Sequence, residues 1–223
     1  VFGPRSQRFF RALAEWWVKP MAAVGLTPNM LTLLGFLLSA AAAGAIALNH
    51  LIWGAVLLFM AGVCDLSDGA LARVQGSGST FGAFFDSTLD RYSESVVLLG
   101  LAYHYGVAGG VVELMLVFAA LVGSVMVSYT RARAEGLGFE CKEGLFARPE
   151  RMLTIIAGLL LYPWLLWFVV ALAVLSNVTA IQRTLHIWRI TRPPSLPEQG
   201  PKHSLPESPT GGSAPERGLL HSN

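Results

Sequence analysis

Long apolar runs alternate with short polar breaks along the chain, and that alternation predicts a bundle of membrane-crossing helices. The apolar spans cover approximately residues 30–49, 51–73, 82–105, 110–133, 150–163 and 164–188. About 20 apolar residues, rising 1.5 Å each, cross a hydrocarbon core of about 30 Å. The last two spans run together, divided only by Tyr162-Pro163-Trp164. A single helix over 150–188 would be too long for a bilayer. Pro163 removes a helical donor and favours a break, and the flanking Tyr and Trp suit an interfacial turn, so two helices are expected.

Before the spans, residues 4–22 place Phe9, Leu13, Trp16 and Trp17 near one helical face, with Arg5, Arg8, Arg11 and Lys19 elsewhere. That pattern predicts an amphipathic helix at the membrane surface; the alternative is a soluble helix capping the bundle. Beyond Arg192 the chain turns to Pro, Ser, Gly and Glu, which bury too little apolar surface to order a segment. The expected organisation is an interfacial helix over 1–22, a six-helix domain over 23–192 and a disordered tail over 193–223. The expected fold is all-α and integral to the membrane.

Composition agrees: 53% of the 223 residues are hydrophobic, 13% are charged, and the mean hydropathy is +0.54. A soluble domain carries about a quarter charged residues. The formal charge of +2 says less than where the charges fall. With six spans, the breaks near residues 50, 107 and 163 share one side of the membrane and carry no Lys or Arg. The other side receives the N-terminal helix, the 73–81 turn, the 131–151 region and the C-terminal end, which hold nearly all the basic residues. The positive-inside rule then puts both termini in the cytoplasm, at the cell membrane. No cleavable signal peptide is visible. Cys64 and Cys141 make no disulfide framework and are expected as free thiols.

Acidic residues within such spans are costly, so each is a functional hypothesis by default. Asp65 and Asp68 fall in the second span, and Asp86 and Asp90 near the start of the third. Spacings of three and four put each pair on one helix face. The connecting turn, VQGSGST, centres near Ser77. Asp68 precedes that centre by nine residues and Asp86 follows it by nine; Asp65 and Asp90 stand twelve before and thirteen after. In an antiparallel hairpin, equal distance from the turn means equal depth, so the four carboxylates are expected at one level. Their repulsion in a low dielectric calls for bound cations or for protonation. Hard divalent ions such as Mg²⁺ prefer such oxygen ligands. The five scattered His offer no competing zinc site. Pairing of the aspartates with Arg73 and Arg91 alone is the structural alternative, but two arginines cannot neutralise four aspartates. Gly69, Ala72, Gly76, Gly78 and Gly82 allow close approach of a bulky ligand, and Ser77, Ser79 and Thr80 offer hydroxyls for phosphate or ribose.

Asp65, Asp68-Gly69, Ala72-Arg73, Gly82, Asp86 and Asp90 stand at the spacings of the CDP-alcohol phosphotransferase signature: eight fixed residues over 26 positions. The chain resembles that family over roughly residues 5–190. The resemblance implies that Asp65, Asp68 and Asp86 bind two divalent metals, Mg²⁺ or Mn²⁺, with Asp90 counted in the same metal site and acting as general base. It also implies that Gly69, Arg73 and Ser79 contact the CDP moiety of a lipid donor. Thr27-Pro28-Asn29 resembles the family's entry motif, whose last residue, here Asn29, lies near the nucleotide. Read without the family, Thr27 and Pro28 are simply a helix N-terminus. A homodimer is a further implication, and no nucleic acid is expected as a partner.

Arg131 and Arg133 end the fourth span, Arg148 and Arg151 precede the fifth, and Arg183 lies within the last. Arginines beside a polar cavity suit a phosphate on the acceptor, whereas basic loops also arise from orientation alone, the reading that suffices for Lys142 and Arg189. The Arg-Pro-Glu-Arg segment and Gln182-Arg183 resemble phosphatidylinositol phosphate synthases and their archaeal ether-lipid counterparts. There the residues matching Arg131, Arg151 and Arg183 bind the phosphate of inositol phosphate, although Lys is usual where this chain has Arg131. The expected reaction moves a phosphatidyl-type group from a CDP-linked lipid to that acceptor and releases CMP. Glycerol 3-phosphate is the alternative acceptor, and serine would need no arginines. A cation transporter would also place carboxylates in the membrane, but has no use for the Gly69 and Ala72-Arg73 spacing. A membrane scaffold explains none of the acids.

Overall fold

The computed structural model describes residues 17–141, 144 and 146–192, and every regular element among them is helical. After a helical stretch over 17–23 come α1 (Pro28–Ala47), α2 (Leu51–Gln75), α3 (Thr80–Val107), α4 (Val111–Gly136), α5 (Arg148–Leu160) and α6 (Leu165–Ile190). Thr27 starts α1 as expected of an N-cap: its side chain accepts from the Met30 amide at 3.3 Å, and Pro28 takes the first turn, where its missing N–H costs nothing. Ser79 caps α3 in the same way, accepting from the Gly82 amide at 2.9 Å. Between α5 and α6, Tyr162–Trp164 forms one 3-10 turn, the break that Pro163 predicts.

The packing closes a circuit: α1 lies against α2 and α3, α2 against α5, α5 against α6, α6 against α4, and α4 against α3. Its core is built from Ala42 and Ile46 of α1, Val97, Leu98 and Leu101 of α3, Val117 and Ala120 of α4, Leu159 of α5, and Val169 and Leu172 of α6. The α1–α3 contact needs the bare backbone of Gly100, where a Cβ would stand 2.6 Å from the Ala43 carbonyl oxygen. Outward-facing Leu37, Phe59, Leu99, Phe118 and Trp167 present an apolar exterior suited to lipid.

Four segments are long and apolar enough to cross a membrane: Pro28–Ala47, Leu51–Gln75, Val111–Gly136 and Tyr162–Ile190. The chain is a multi-pass membrane protein. The other two helices depart from simple spans for different reasons. In α3, Asp86, Asp90, Arg91 and Glu94 interrupt the apolar run. The 13 residues of α5 reach only about 20 Å.

Of the expected interfacial helix, Phe9, Leu13 and Trp16 lie outside the described residues, as does the tail over 193–223. Within the described part, Val18 is fully buried against Leu31, Ala70 and Leu71, while Trp17 is exposed. Gln75 Nε2 donates to the Leu26 carbonyl at 2.8 Å, fastening the end of α2 to the segment that enters α1. The start of α1 and the α2–α3 turn are thereby held together.

Candidate active site

The two helices that flank the turn bring three carboxylates to one point. Oxygens of Asp65 and Asp68 from α2 and Asp86 from α3 lie within 4.8 Å of one another. Asp68 is 6% exposed, and its Oδ2 accepts a 2.7 Å hydrogen bond from Thr32 Oγ1 of α1. Asp86 Oδ1 is buried and receives no hydrogen bond. A buried oxygen with no donor is costly unless something else satisfies it. Three convergent carboxylates and an unpartnered lone pair fit a hard divalent cation. The residues present are therefore suited to the metal that the sequence pattern implies.

Asp90 stands outside this triad. Its Oδ1 pairs with Arg148 Nη2 at 2.8 Å, and Arg148 Nη1 donates to Asp65 Oδ1 at 2.6 Å. One guanidinium at the first turn of α5 thus bridges α2 and α3. Arg91 donates to the Ser87 carbonyl of its own helix.

On one side of the carboxylates lies a cavity of about 390 Å³ between α1, α2 and α3. Asn29, Gly69, Ser79 and Gly82 line it together with Asp68 and Asp86. It leaves no room for a side chain at Gly82, where a Cβ would sit 3.0 Å from Ser79 Oγ and 3.3 Å from Asn29 Oδ1. Ser77 and Gly78 of the turn line it as well. Arg73 does not belong to this lining; it is exposed, with Nη1 3.6 Å from where a Gly69 Cβ would be.

On the other side lies a basic cavity of about 160 Å³ lined by Asp90, Arg91, Glu94, Ser128, Arg131, Arg148, Arg151 and Arg183. The three arginines expected to face a phosphate meet here in different settings. Arg131 is exposed and pairs with Glu135 one turn along α4, at 2.8 Å. Arg183 is 4% exposed and donates to the Val127 carbonyl. Arg151, 1% exposed, is fixed by Glu94 and by the Phe146 carbonyl at 3.2 Å. Asp90 lines this cavity and also a small one shared with Asp65, Asp68 and Thr32, so it stands at the boundary between the two.

Two site residues, Glu94 and Thr32, are absent from the sequence-based set, and a third, Arg148, is in it only as one basic residue among several. Glu94 extends the Asp86–Asp90 spacing by one more turn on α3, a signal that was available. Arg148 opens the Arg-Pro-Glu-Arg segment, but nothing in that segment says that it reaches Asp65, 83 positions away. Thr32 lies one turn past Thr27-Pro28-Asn29 and reads as an ordinary residue of an apolar helix.

A family model described as CDP-alcohol phosphatidyltransferase matches residues 25–182. An archaetidylinositol phosphate synthase from Methanothermobacter thermautotrophicus is 40% identical over 186 residues, covering 81% of this chain and 93% of that protein. A phosphatidylinositol phosphate synthase from Mycobacterium tuberculosis is 37% identical over 198 residues, covering 82% and 89%. The crystal structure of the Mycobacterium tuberculosis phosphatidylinositol phosphate synthase with CDP-DAG bound superposes with a TM-score of 0.74 at 32% identity, covering 79% of this chain and 94% of that one. The same enzyme in complex with manganese and citrate gives a TM-score of 0.72 at 31% identity, covering 78% and 88%.

Proposed function

The chain belongs to the CDP-alcohol phosphatidyltransferase family, and from that premise we propose that it transfers a phosphatidyl-type group from a CDP-linked lipid to a hydroxyl of inositol phosphate, releasing CMP. The observation that carries this reading is the position of Asp90, which lines the arginine-lined cavity and a small cavity shared with Asp65 and Asp68, while Asp68 and Asp86 of the same cluster line the large cavity. A donor and a phosphorylated acceptor can occupy those cavities and meet beside one carboxylate. Relatives named for phosphatidylinositol phosphate and archaetidylinositol phosphate synthesis support inositol phosphate as the acceptor.

Asp65, Asp68 and Asp86 would hold the divalent ions, Mg²⁺ or Mn²⁺, with Asp90 near them. Ions bound there neutralise the carboxylates and the charge of a pyrophosphate. Asn29, Gly69 and Ser79 suit the CDP moiety, which needs close backbone approach and hydroxyl or amide partners, with Arg73 at the rim. Arg131, Arg151 and Arg183 suit the acceptor phosphate, with Arg151 held in place by Glu94. Asp90 takes the proton of the acceptor hydroxyl. That oxygen then attacks the lipid-side phosphorus, forming the new P–O bond while the bond to CMP breaks. The proton remains on the Asp90 carboxyl until it is passed to solvent. Holding both substrates in place across one carboxylate supplies much of the rate advantage.

The same reading includes six membrane crossings, with α3 and α5 completing the set, and a surface helix over 1–22. The catalytic domain spans 23–192, and 193–223 form a tail. The distribution of Lys and Arg supports cytoplasmic termini and a cytoplasmic active site. A homodimer is supported by the family resemblance alone.

The test presents purified enzyme with CDP-lipid and Mg²⁺, varies the acceptor, and measures CMP release. Turnover with inositol phosphate is expected. Turnover with glycerol 3-phosphate and none with inositol phosphate would overturn the acceptor while leaving the family chemistry in place.

A further inference from the structure

Arg148 touches both halves of the site. Its guanidinium holds Asp65 Oδ1 at 2.6 Å and Asp90 Oδ1 at 2.8 Å, and its side chain also lines the basic cavity. These are the two carboxylates with other work to do: Asp65 belongs to the cation cluster, and Asp90 must accept a hydrogen bond from the acceptor hydroxyl. While Arg148 Nη2 occupies Asp90 Oδ1, that oxygen is engaged.

The neighbouring arginines are anchored differently. Arg151 is fixed by Glu94, and Arg183 by the Val127 carbonyl. Arg148 keeps 26% of its side chain exposed and pairs with groups that a cation would attract away. A guanidinium offers five N–H donors in a planar fork that matches a phosphate as well as a carboxylate.

We propose that Arg148 is an exchangeable counter-ion that leaves Asp65 and Asp90 for the acceptor phosphate, coupling occupancy of the cation cluster to occupancy of the basic cavity. This rests on the proposed reaction for the identity of the acceptor, but the exchange itself needs only a phosphate. Phosphate arriving in the basic cavity draws Arg148 toward it and releases Asp65 to a cation and Asp90 to the hydroxyl. A cation arriving first competes for Asp65 and loosens Arg148 toward the phosphate. Linkage requires the two effects to be equal: each ligand tightens the other by one common factor. An acceptor without a phosphate leaves Arg148 on Asp90, so selectivity for phosphorylated acceptors follows from the same contact.

The experiment measures Mn²⁺ binding by electron paramagnetic resonance, which reads free Mn²⁺ directly. Full-length enzyme in nanodiscs is titrated without CDP-lipid, in the absence and presence of inositol phosphate and, separately, inorganic phosphate. In the wild type either phosphate is expected to tighten Mn²⁺ binding about fivefold or more, within the range typical of site-to-site coupling. In Arg148→Gln the factor falls to about one. Absence of coupling in the wild type, or the same factor in Arg148→Gln, would overturn the exchange. If Arg148→Gln does not fold, Arg148→Lys decides: a reduced factor supports the exchange and an unchanged factor defeats it. Coupling by phosphate in an enzyme that does not turn over inositol phosphate would support Arg148 while removing the acceptor; turnover without coupling would do the reverse.

Discussion

The Arg151 guanidinium meets the Glu94 carboxylate through two parallel hydrogen bonds, Nε to Oε1 at 2.5 Å and Nη2 to Oε2 at 2.8 Å. The pair joins the short α5 to the charged face of α3 and neutralises an arginine that solvent hardly reaches. A bidentate pair of this kind fixes a direction as well as a distance. Arg151 is therefore a fixed wall of the basic cavity, held in place from α3.

Removing one partner of this pair should be far worse than removing both. Glu94→Ala leaves a buried cation without its anion, a change that costs about 3–5 kcal/mol. Chemical denaturation in detergent should read that loss. The double change Glu94→Leu with Arg151→Met replaces the charges by apolar groups of similar size and should recover most of the stability. It should still raise the KM for the acceptor, because the cavity has lost its fixed wall.

Thr32→Val tests the support of the cation cluster. The Thr32 hydroxyl aims Asp68 by a 2.7 Å hydrogen bond from α1, and valine keeps the shape without the donor. Partners that orient a ligand typically contribute about 10–100-fold in metal affinity. Mn²⁺ binding should weaken by about tenfold in direct titration, and CMP release should return toward the wild-type rate at saturating Mn²⁺. An unchanged Mn²⁺ affinity would mean that Asp68 needs no help from α1.

Asp90→Asn separates the base from the cluster. Asp90 stands outside the Asp65–Asp68–Asp86 group, so Mn²⁺ affinity should change little. The maximal rate of CMP release should fall by about 10²–10⁴, the usual contribution of a positioned base. Asp86→Asn should lose Mn²⁺ binding and turnover together, since it removes a carboxylate of the group itself. Unchanged turnover in Asp90→Asn would defeat its role.

These sites differ in how far the sequence announces them. The convergence of Asp65, Asp68 and Asp86 is legible because one turn of known length sets the depth of both helices, and helical periodicity sets their faces. The break at Tyr162-Pro163-Trp164 is legible because proline acts locally. Arg148 on Asp65 and Asp90 is not legible, since that contact depends on α5 closing the helical circuit against α2, a long-range choice that periodicity does not encode. The same holds for Arg151: its spacing from Arg148 advertises two basic residues near the site, but only packing decides that one meets Glu94 and the other bridges the aspartates. The division of α3 into a charged start and an apolar end is visible in the residues, and the shortness of α5 is set by the same Tyr162-Pro163-Trp164 break.

The loop between α4 and α5 gives the basic cavity its last constraint. Gly144 passes over α6 with φ at +133°, a conformation that favours glycine, and a Cβ there would stand 2.8 Å from Thr179 Cγ2, 3.0 Å from Arg183 Nε and 3.2 Å from Arg183 Nη2. Both the backbone and the space therefore resist a side chain. Gly144→Ala must move the loop or push the Arg183 guanidinium from its place beside the Val127 carbonyl. A phosphate contact weakened by about 1.4 kcal/mol corresponds to tenfold in affinity. The KM for inositol phosphate should rise by about that factor while the KM for the CDP-linked lipid stays near the wild-type value, because neither Gly144 nor Arg183 lines the larger cavity. Equal increases in both would show that the loop supports the whole bundle and has no particular hold on the acceptor side.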